Sequence, residues 1–202
     1  MLSFDHIAIS AKTLDEGVAW VESALGVKLA GGGKHPLMAS HNRLLGLGDL
    51  YLEVIAIDPE APAPAHPRWF DLDRFEGKPR LTNWVARTDD IVADLAAGPT
   101  GLGAPLTLSR GHYRWQMAVP ANGILPFDGA FPALIQWMTP LHPTQSLPDS
   151  GVRLTRLTIA HPRAAALQAA LALTDPRVSI VAGPVKSLTA SFHTPHGERH
   201  LS

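Results

Sequence analysis

The stretch FDHIAIS, residues 4–10, decides the fold together with a later stretch, LYLEVIAI, residues 50–57. Both stretches are rich in branched apolar residues, as half-buried strands are. Each also carries an ionisable side chain, His6 in the first and Glu53 in the second, whose burial would be unfavourable without a partner. An imidazole and a carboxylate on neighbouring strands are able to bind a metal ion together or to act as an acid–base pair.

The composition of the chain excludes several classes of function. Its 202 residues are enough to bury a core as one domain or as two small fused modules. The formal net charge is only -1, so the composition gives no indication of a basic surface that would bind nucleic acid. No cysteine is present, which excludes disulfides and thiolate metal sites. The N-terminus lacks an export signal and no apolar run is long enough to span a bilayer, so we expect a cytoplasmic protein without membrane contact.

The order of predicted elements repeats along the chain. A strand at 4–10 is followed by a helix that ends at Gly26 and then by three strands. The glycines at 31–33 are expected to form a turn between the first two of these strands. After a proline-rich linker at 58–79 the same order of strand, helix and three strands returns. A shorter third series follows, with a strand at 153–159, a helix at 164–173 and strands at 178–181 and 187–192.

These patterns predict an α+β fold of tandem βαβββ units, with a partial third βαββ unit at the C-terminus. The first two units are expected at roughly residues 1–58 and 80–143, and together they form one predicted domain, 1–143. The third unit, at 151–202, is expected to pack on the same domain and to end before a fourth strand forms.

The chain resembles the vicinal oxygen chelate superfamily, which includes glyoxalase I, extradiol dioxygenases and bleomycin-resistance proteins, and it is most similar to the glyoxalase-like branch. The resemblance implies that the two units curl into a cup of mixed sheet, which holds a divalent metal through the first and last strands of both units. The stretches that carry it are FDHIAI at 4–9, GGKHP at 32–36, SHNRLL at 40–45, LYLEVI at 50–55, WVARTDD at 84–90, RW at 114–115, LPF at 125–127 and QW at 136–137.

The resemblance also implies which residues bind the metal and which are catalytic. His6 and Glu53 match the ligand positions of the first unit. Gln136 falls where the second unit usually offers a glutamate, and Asn83 lies near the remaining position. Because the Gln136 amide is neutral and cannot act as a base, glyoxalase I activity is not expected. Glu53 and Gln136 are the candidate catalytic groups.

Other residues are candidates for a third metal ligand and for substrate binding. His41 lies on the strand before that of Glu53 and is the chosen third ligand, with His35 as an alternative. A guanidinium matches a carboxylate through two parallel hydrogen bonds, so Arg114 is a candidate substrate anchor. The predicted substrate-binding residues are Arg114, Trp115 and Asn83.

Two structural alternatives for the central pair stay open. His6 is also interpretable as a buried histidine whose ring forms a hydrogen bond with a backbone group. Glu53 is also interpretable as half of a buried ion pair with Arg43 across the hairpin, which would need no catalysis.

Two functions follow from this resemblance. The first is a metal-dependent enzyme that acts on a small oxygen-bearing metabolite, as an isomerase, lyase or dioxygenase, with Zn, Ni, Mn or Fe polarising the substrate oxygen. The second is a metal-free protein of the bleomycin-resistance type that binds or sequesters a small molecule. The second hypothesis predicts an aromatic-lined cavity. A homodimer is compatible with both, although two tandem units are able to complete the cup within one chain.

Overall fold

A computed structural model describes all residues, 1–202, as an α+β protein of twelve strands and three α-helices. The first unit contains β1 (Ser3–Ser10), α1 (Leu14–Leu25), β2 (Ala30–His35), β3 (Ser40–Gly46) and β4 (Tyr51–Ile57). The second contains β5 (Arg80–Arg87), α2 (Ile91–Ala97), β6 (Ala104–Arg110), β7 (Tyr113–Val119) and β8 (Ala133–Trp137). The third contains β9 (Arg153–His161), α3 (Ala164–Ala170), β10 (Val178–Ala182), β11 (Ser187–Thr194) and β12 (Gly197–Leu201). None of the helices has the length and apolar character needed to cross a bilayer.

The first two units form one eight-stranded sheet in the order β2-β3-β4-β1-β5-β8-β7-β6. Within each unit the first strand pairs in parallel with the last, β1 with β4 and β5 with β8. The two units join through the antiparallel pair β1 and β5. The sheet curls so far that its two edge strands meet, since the Arg110 side chain of β6 lies against Gly33 of β2. The predicted α+β fold of tandem units and its cupped sheet are therefore confirmed.

The helix of the first unit begins and ends as its sequence predicts. The Thr13 side chain accepts a hydrogen bond from the backbone N–H of Glu16 at 3.2 Å and caps the N-terminus of α1. Gly26 adopts the left-handed conformation and donates its backbone N–H to Glu22, which ends the helix. The face of α1 that carries Val21 and Leu25 packs against the sheet and closes one side of the core.

The third unit differs from the predicted one in two respects. Its chain continues into a further strand, β12, which pairs with β11 after a tight turn at Gly197. Its sheet is separate and has the order β10-β9-β11-β12, so its first strand is flanked by the two strands that follow α3. The turn at Thr194–Gly197 makes this extra hairpin possible, because the Thr194 hydroxyl donates a hydrogen bond to the Gly197 carbonyl at 2.8 Å.

A single hydrophobic core joins the three units. Ile7 of the first, Trp84 of the second and Phe192 of the third are all fully buried in one cluster. The Trp84 indole also donates a hydrogen bond to the Ala130 carbonyl at 2.8 Å, so its polar atom is satisfied inside the core. The boundary between the predicted domain 1–143 and the unit 151–202 remains a prediction.

The glycines at 31–33 lie within strand β2, where a turn was expected. The pairing register between β2 and β3 shifts between Ala30 and Gly32, which indicates a β-bulge. Gly32 has a φ of +150°, and a Cβ atom there would lie 2.1 Å from the Asn42 carbonyl oxygen. The bulge therefore depends on the missing side chain, and it fixes the position of β3 against the edge of the cup.

We expect Gly32→Ala to lower the free energy of unfolding by at least ~1–2 kcal/mol, because the new methyl group collides with backbone and φ is unfavourable. Gly31→Ala is the matched control, since nothing lies within 4 Å of a Cβ at Gly31. Urea unfolding of the two variants and the wild type measures the difference. Equal stability of the two variants would contradict the bulge.

Candidate functional site

A buried histidine lies between two carboxylates at the centre of the cup. His6 on β1 donates from Nδ1 to the Asp5 carboxylate at 2.6 Å, and its Nε2 lies 3.6 Å from Oε2 of Glu53 on β4. All three side chains are buried. Burial alone would lower the pKa of His6, but the Asp5 hydrogen bond and the Glu53 charge together raise it to about 9. His6 is therefore an imidazolium ion at neutral pH.

Glu53 is ionised because it faces this cation. Burial alone would raise the pKa of Glu53, yet the neighbouring His6 and the Asn42 amide lower it to about 2. The Asn42 Nδ2 donates to Glu53 Oε1 at 2.6 Å. His6 and Glu53 therefore form a buried ion pair with a long contact of 3.6 Å between His6 Nε2 and Glu53 Oε2.

Asp5 anchors the other side of the histidine. Its carboxylate accepts hydrogen bonds from Trp137 Nε1 at 3.0 Å and from His142 Nε2 at 3.1 Å, in addition to that from His6. Burial would raise the pKa of Asp5, but the hydrogen bonds from His142 and His6 hold it far below its usual range. Three donors from β1, β8 and the segment after β8 therefore converge on one carboxylate.

Asn42 connects Glu53 to the edge of the cup through a series of hydrogen bonds. Its Oδ1 accepts from the Arg110 guanidinium at 2.9 Å and from the backbone N–H of Gly33 at 2.9 Å. Because Nδ2 of the same amide donates to Glu53, both ends of Asn42 are committed and its orientation is fixed. Arg110 thus balances the charge of Glu53 through the amide.

His35 contacts the same group of residues as a neutral side chain. Burial lowers the pKa of His35 to about 4, and the charge of the adjacent Arg110 acts in the same direction. Its Nδ1 lies 3.2 Å from the Ser40 hydroxyl, and its Nε2 lies 3.3 Å from Arg110 Nη1. Nε2 is therefore the acceptor and Nδ1 the donor.

A small cavity of about 30 Å³ opens beside these groups. It has room for a water molecule or for one polar group of a ligand. The Tyr51 ring stacks on the His6 ring at a centroid distance of 4.2 Å. Five aromatic side chains contribute to the wall: Tyr51, Trp69, Phe70, Trp115 and Trp137.

The structure brings together four of the residues that the sequence singles out. His6 and Glu53 form the central pair, and Trp115 and His35, the alternative third ligand, lie in the same cavity wall. The two structural alternatives for the pair are not found: His6 is held by a side-chain carboxylate, and Glu53 pairs with His6 and Asn42 while Arg43 lies on the other face of β3.

Four predicted site residues lie away from the pair. His41 lies on the opposite face of β3 from Asn42, and Arg114 is exposed on the outer face of β7. Asn83 faces a different cavity, beside Gly129. The remaining residue, Gln136, bonds to the start of α2, where it accepts from the Ile91 N–H at 3.0 Å and donates to the Asp89 carbonyl at 2.8 Å.

Strand register explains why Gln136 lies outside the cup. Gln136 pairs with Gln116 of β7, whereas Ile135 pairs with Met117 and faces the cavity. Successive side chains of a strand point to opposite faces, so a one-residue difference in register moves a side chain to the other face of the sheet. The second unit therefore offers an apolar residue, Ile135, where the first offers Glu53.

Sequence analysis missed several residues of the site. Asp5 lies at a register shift between Phe4 and His6, in a strand that is buried on both faces, so adjacent Asp5 and His6 are both buried. Two adjacent ionisable residues in an apolar strand were the signal for it. Asn42 and Arg110 carried no such signal, because their contact depends on the meeting of β2 and β6 at the sheet edges.

The residues of the cup do not fit a divalent metal ion. His6 Nε2 and Glu53 Oε2 lie 3.6 Å apart and face each other, and His41 lies on the opposite face of β3 from Asn42. Nε2 of His35 points at the Arg110 guanidinium, and Glu53 is the one carboxylate in the cavity wall. No three His, Asp or Glu side chains are arranged around a common point. The predicted ligand set of His6, Glu53 and His41 is therefore not assembled.

Comparison with known proteins agrees with the fold. Residues 4–174 match the family model described as "Glyoxalase-like domain". A crystal structure of a hypothetical protein from Staphylococcus aureus has 16% sequence identity and a TM-score of 0.62, and the alignment covers 93% of this chain and 88% of that chain. No match to a protein of curated function was found by sequence.

Two epimerase structures are more distantly similar. Methylmalonyl-CoA epimerase from Mycobacterium tuberculosis has 16% identity, with a TM-score of 0.44 over 66% of this chain and 85% of that one. A variant of the Streptomyces coelicolor methylmalonyl-CoA epimerase, in complex with 2-nitronate-propionyl-CoA, has 18% identity, with a TM-score of 0.45 over 69% of this chain and 100% of that one.

The tandem βαβββ units and their curled sheet define a protein of the vicinal oxygen chelate class. Within that class, the chain belongs to the glyoxalase-like domain family. The resemblance inferred from the sequence is thereby confirmed.

The ion pair predicts how stability depends on pH. The folded-state pKa of His6, about 9, is above its ordinary value of 6.5, so its contribution is complete below pH 6.5 and is lost as the pH rises through 9. We expect the free energy of unfolding to fall by on the order of 2 kcal/mol across this window. Urea unfolding at several pH values measures it.

His6→Gln tests whether this fall belongs to His6, because it removes the titrating group and should flatten the profile between pH 6.5 and 9. His112→Gln, at an exposed turn, is the matched control and should keep the wild-type profile. A wild-type stability that is constant or rises across the window would contradict the buried imidazolium.

Proposed function

We propose that the cup binds a small molecule without a metal ion and holds an oxygen atom of that molecule beside His6. The observation that carries this proposal is the Nε2–H of the His6 imidazolium at the cavity wall, whose nearest acceptor in the chain, Glu53 Oε2, is 3.6 Å away. An ionised donor in a buried site forms a strong hydrogen bond with an oxygen ligand.

The charges around the cavity favour a ligand oxygen that carries negative charge or a strong dipole. His6 and Arg110 supply two positive charges and Glu53 one negative charge at the cavity wall. The charge of Asp5, which makes the set neutral, lies on the far side of His6 and outside the wall. The cavity of about 30 Å³ accepts one such polar group and little else. A carboxylate, phenol or carbonyl oxygen fits this description.

The rest of the ligand needs space outside this cavity. A neighbouring groove of about 300 Å³ has His35 and Trp115 in its wall, and both also line the cup cavity. Pro36, Leu37 and Leu108 make part of the groove apolar. An apolar, flat body is favoured because aromatic and aliphatic side chains surround the approach to His6. The aromatic wall is the property that the metal-free hypothesis predicts.

A second candidate function is proton transfer on the bound molecule. The atoms His6 Nε2 and Glu53 Oε2 are 3.6 Å apart at one cavity, so a ligand oxygen at His6 would bring its neighbouring carbon close to a carboxylate. His6 would stabilise the oxyanion, and Glu53 would accept the carbon-bound proton. The binding function ranks first, because a carboxylate with a pKa of about 2 is a weak base.

We expect saturable binding of at least one small aromatic acid or phenol to the wild type, measured by titration calorimetry with benzoate, 4-hydroxybenzoate and catechol. His6→Gln should weaken this binding by ~10-fold or more, because it removes a charged hydrogen-bond donor. His112→Gln is the matched control and should bind as the wild type does. Acetate, which has no ring, tests the contribution of the aromatic walls.

The outcomes separate the two candidates. Binding that is equal in the wild type and in a folded His6→Gln variant would contradict the proposal, as would the absence of binding by the whole panel. The same protein with pyruvate in D₂O reports exchange of the methyl hydrogens by proton NMR. Exchange that Glu53→Gln abolishes would move the proton-transfer function to first place.

A further inference from the structure

A second and larger cavity lies outside the cup. It measures about 290 Å³ and is enclosed by β5, by the short helix at Trp69–Arg74, by the loop before β8 and by the start of β11. Phe70 lines both this cavity and the cup, so the two cavities are neighbours. The residues that matter for the cavity's chemistry are Asp71, Arg80, Asn83, Asp128 and Lys186.

Lys186 reaches this cavity from the third unit. Its side chain is half-buried, and its Nζ donates one hydrogen bond, to the Thr82 carbonyl of β5 at 2.9 Å. No carboxylate lies within 4 Å of Nζ, and no second acceptor of the protein bonds to it. Burying an amine with so few partners disfavours its charged form.

Burial and the neighbouring charges set the pKa of the Lys186 amine. Burial lowers the pKa of Lys186 to about 8, and the Arg80 guanidinium acts in the same direction, against the opposing charges of Asp128 and Asp71. Both carboxylates have other partners: Asp71 lies 2.6 Å from Arg74, and Asp128 lies 3.3 Å from the His161 ring. Arg80 and Lys186 are therefore the cations of this cavity that have no carboxylate within 4 Å, and the Lys186 amine is partly neutral near pH 8.

The walls of the cavity include strained backbone. Phe70, Asp71 and Asp128 all have φ values near +57°, in the left-handed region that favours glycine. Such conformations persist only where the surrounding structure holds them, and they concentrate at functional sites. The two loops that carry these residues face each other across the cavity that Lys186 enters.

We propose that this cavity is a binding site for a small aldehyde or ketone that carries an anionic group, and that Lys186 is the amine that reacts with it. Desolvation and a neighbouring cation are the two conditions that activate a lysine as a nucleophile, and both are present here. Arg80 would attract the anionic group, and the Asn83 amide would bond to its oxygen.

The chemical step is the formation of an imine. The neutral Lys186 amine adds to the carbonyl carbon, a C–N bond forms, and the carbonyl oxygen takes a proton to give a carbinolamine. The C–O bond then breaks, water leaves with the second amine proton, and a C=N bond remains. No electron transfer takes place, so no oxidant or reductant is required.

The test uses glyoxylate, an aldehyde with a carboxylate, and cyanoborohydride, which reduces any imine to a stable amine. Peptide mass spectrometry then gives the modified fraction at each of the five lysines of the full chain. At about pH 7.5 we expect Lys186 to be modified ~10-fold or more faster than exposed Lys78, because a far larger fraction of its amine is neutral. Acetaldehyde, which is uncharged, should show a smaller preference for Lys186.

Two variants complete the test. Lys186→Arg keeps the charge and should lose the fast-reacting site, whereas Lys78→Arg should leave the reaction at Lys186 unchanged. Modification of Lys186 at or below the rate of Lys78, in protein whose circular dichroism is native, would overturn the proposal. Equal selectivity for glyoxylate and acetaldehyde would overturn the part that assigns an anionic ligand. Neither outcome bears on the cup, which is a separate cavity.

Discussion

The buried Asp5 carboxylate is the group on which the rest of the site depends. It accepts hydrogen bonds from His6 of the first unit and from Trp137 and His142 at the end of the second. It therefore ties the two halves of the cup together and fixes the charge of His6 at the same time. Removing one member of such a buried network leaves an uncompensated charge, which typically lowers stability by ~3–5 kcal/mol.

Charges of alternating sign line up through the cup and determine which ligand group it is able to bind. Negative Asp5, positive His6, negative Glu53 and positive Arg110 follow one another, with the Asn42 amide between the last two. The four charges neutralise one another, and for this reason the buried set of ions is tolerated. The same arrangement places the imidazolium of His6 at the cavity wall.

Much of this arrangement was predictable from local sequence, and the rest was not. The alternation in residues 4–10 and 50–57 predicts two half-buried strands, and their parallel pairing brings His6 and Glu53 together. The structure instead buries both faces of β1, and its register shifts beside Asp5, so the period-2 pattern alone assigned no role to Asp5. The face of β8 that carries Gln136 is set by its register with β7, which depends on long-range pairing rather than on local sequence.

The contact between the two edges of the sheet also could not be predicted from local sequence. Arg110 meets Asn42 only because the eight-stranded sheet curls until β2 and β6 touch, and the glycines of β2 permit that approach. A run of three glycines predicts a turn by composition, whereas here it supplies a strand that a neighbouring side chain is able to cross. Closure of a sheet is a property of the whole fold, so residues that depend on it are found only from the three-dimensional structure.

The protonation state of His6 is the central claim, and nitrogen NMR of the histidine rings tests it most directly. A ¹⁵N-labelled wild type at neutral pH, with His6 assigned by its loss in His6→Gln, should show both ring nitrogens of His6 bonded to hydrogen. Added Zn²⁺ should leave those two signals unchanged. A His6 ring with one unprotonated nitrogen at neutral pH, or one whose signals shift with stoichiometric Zn²⁺, would contradict the account and restore a metal-binding cup.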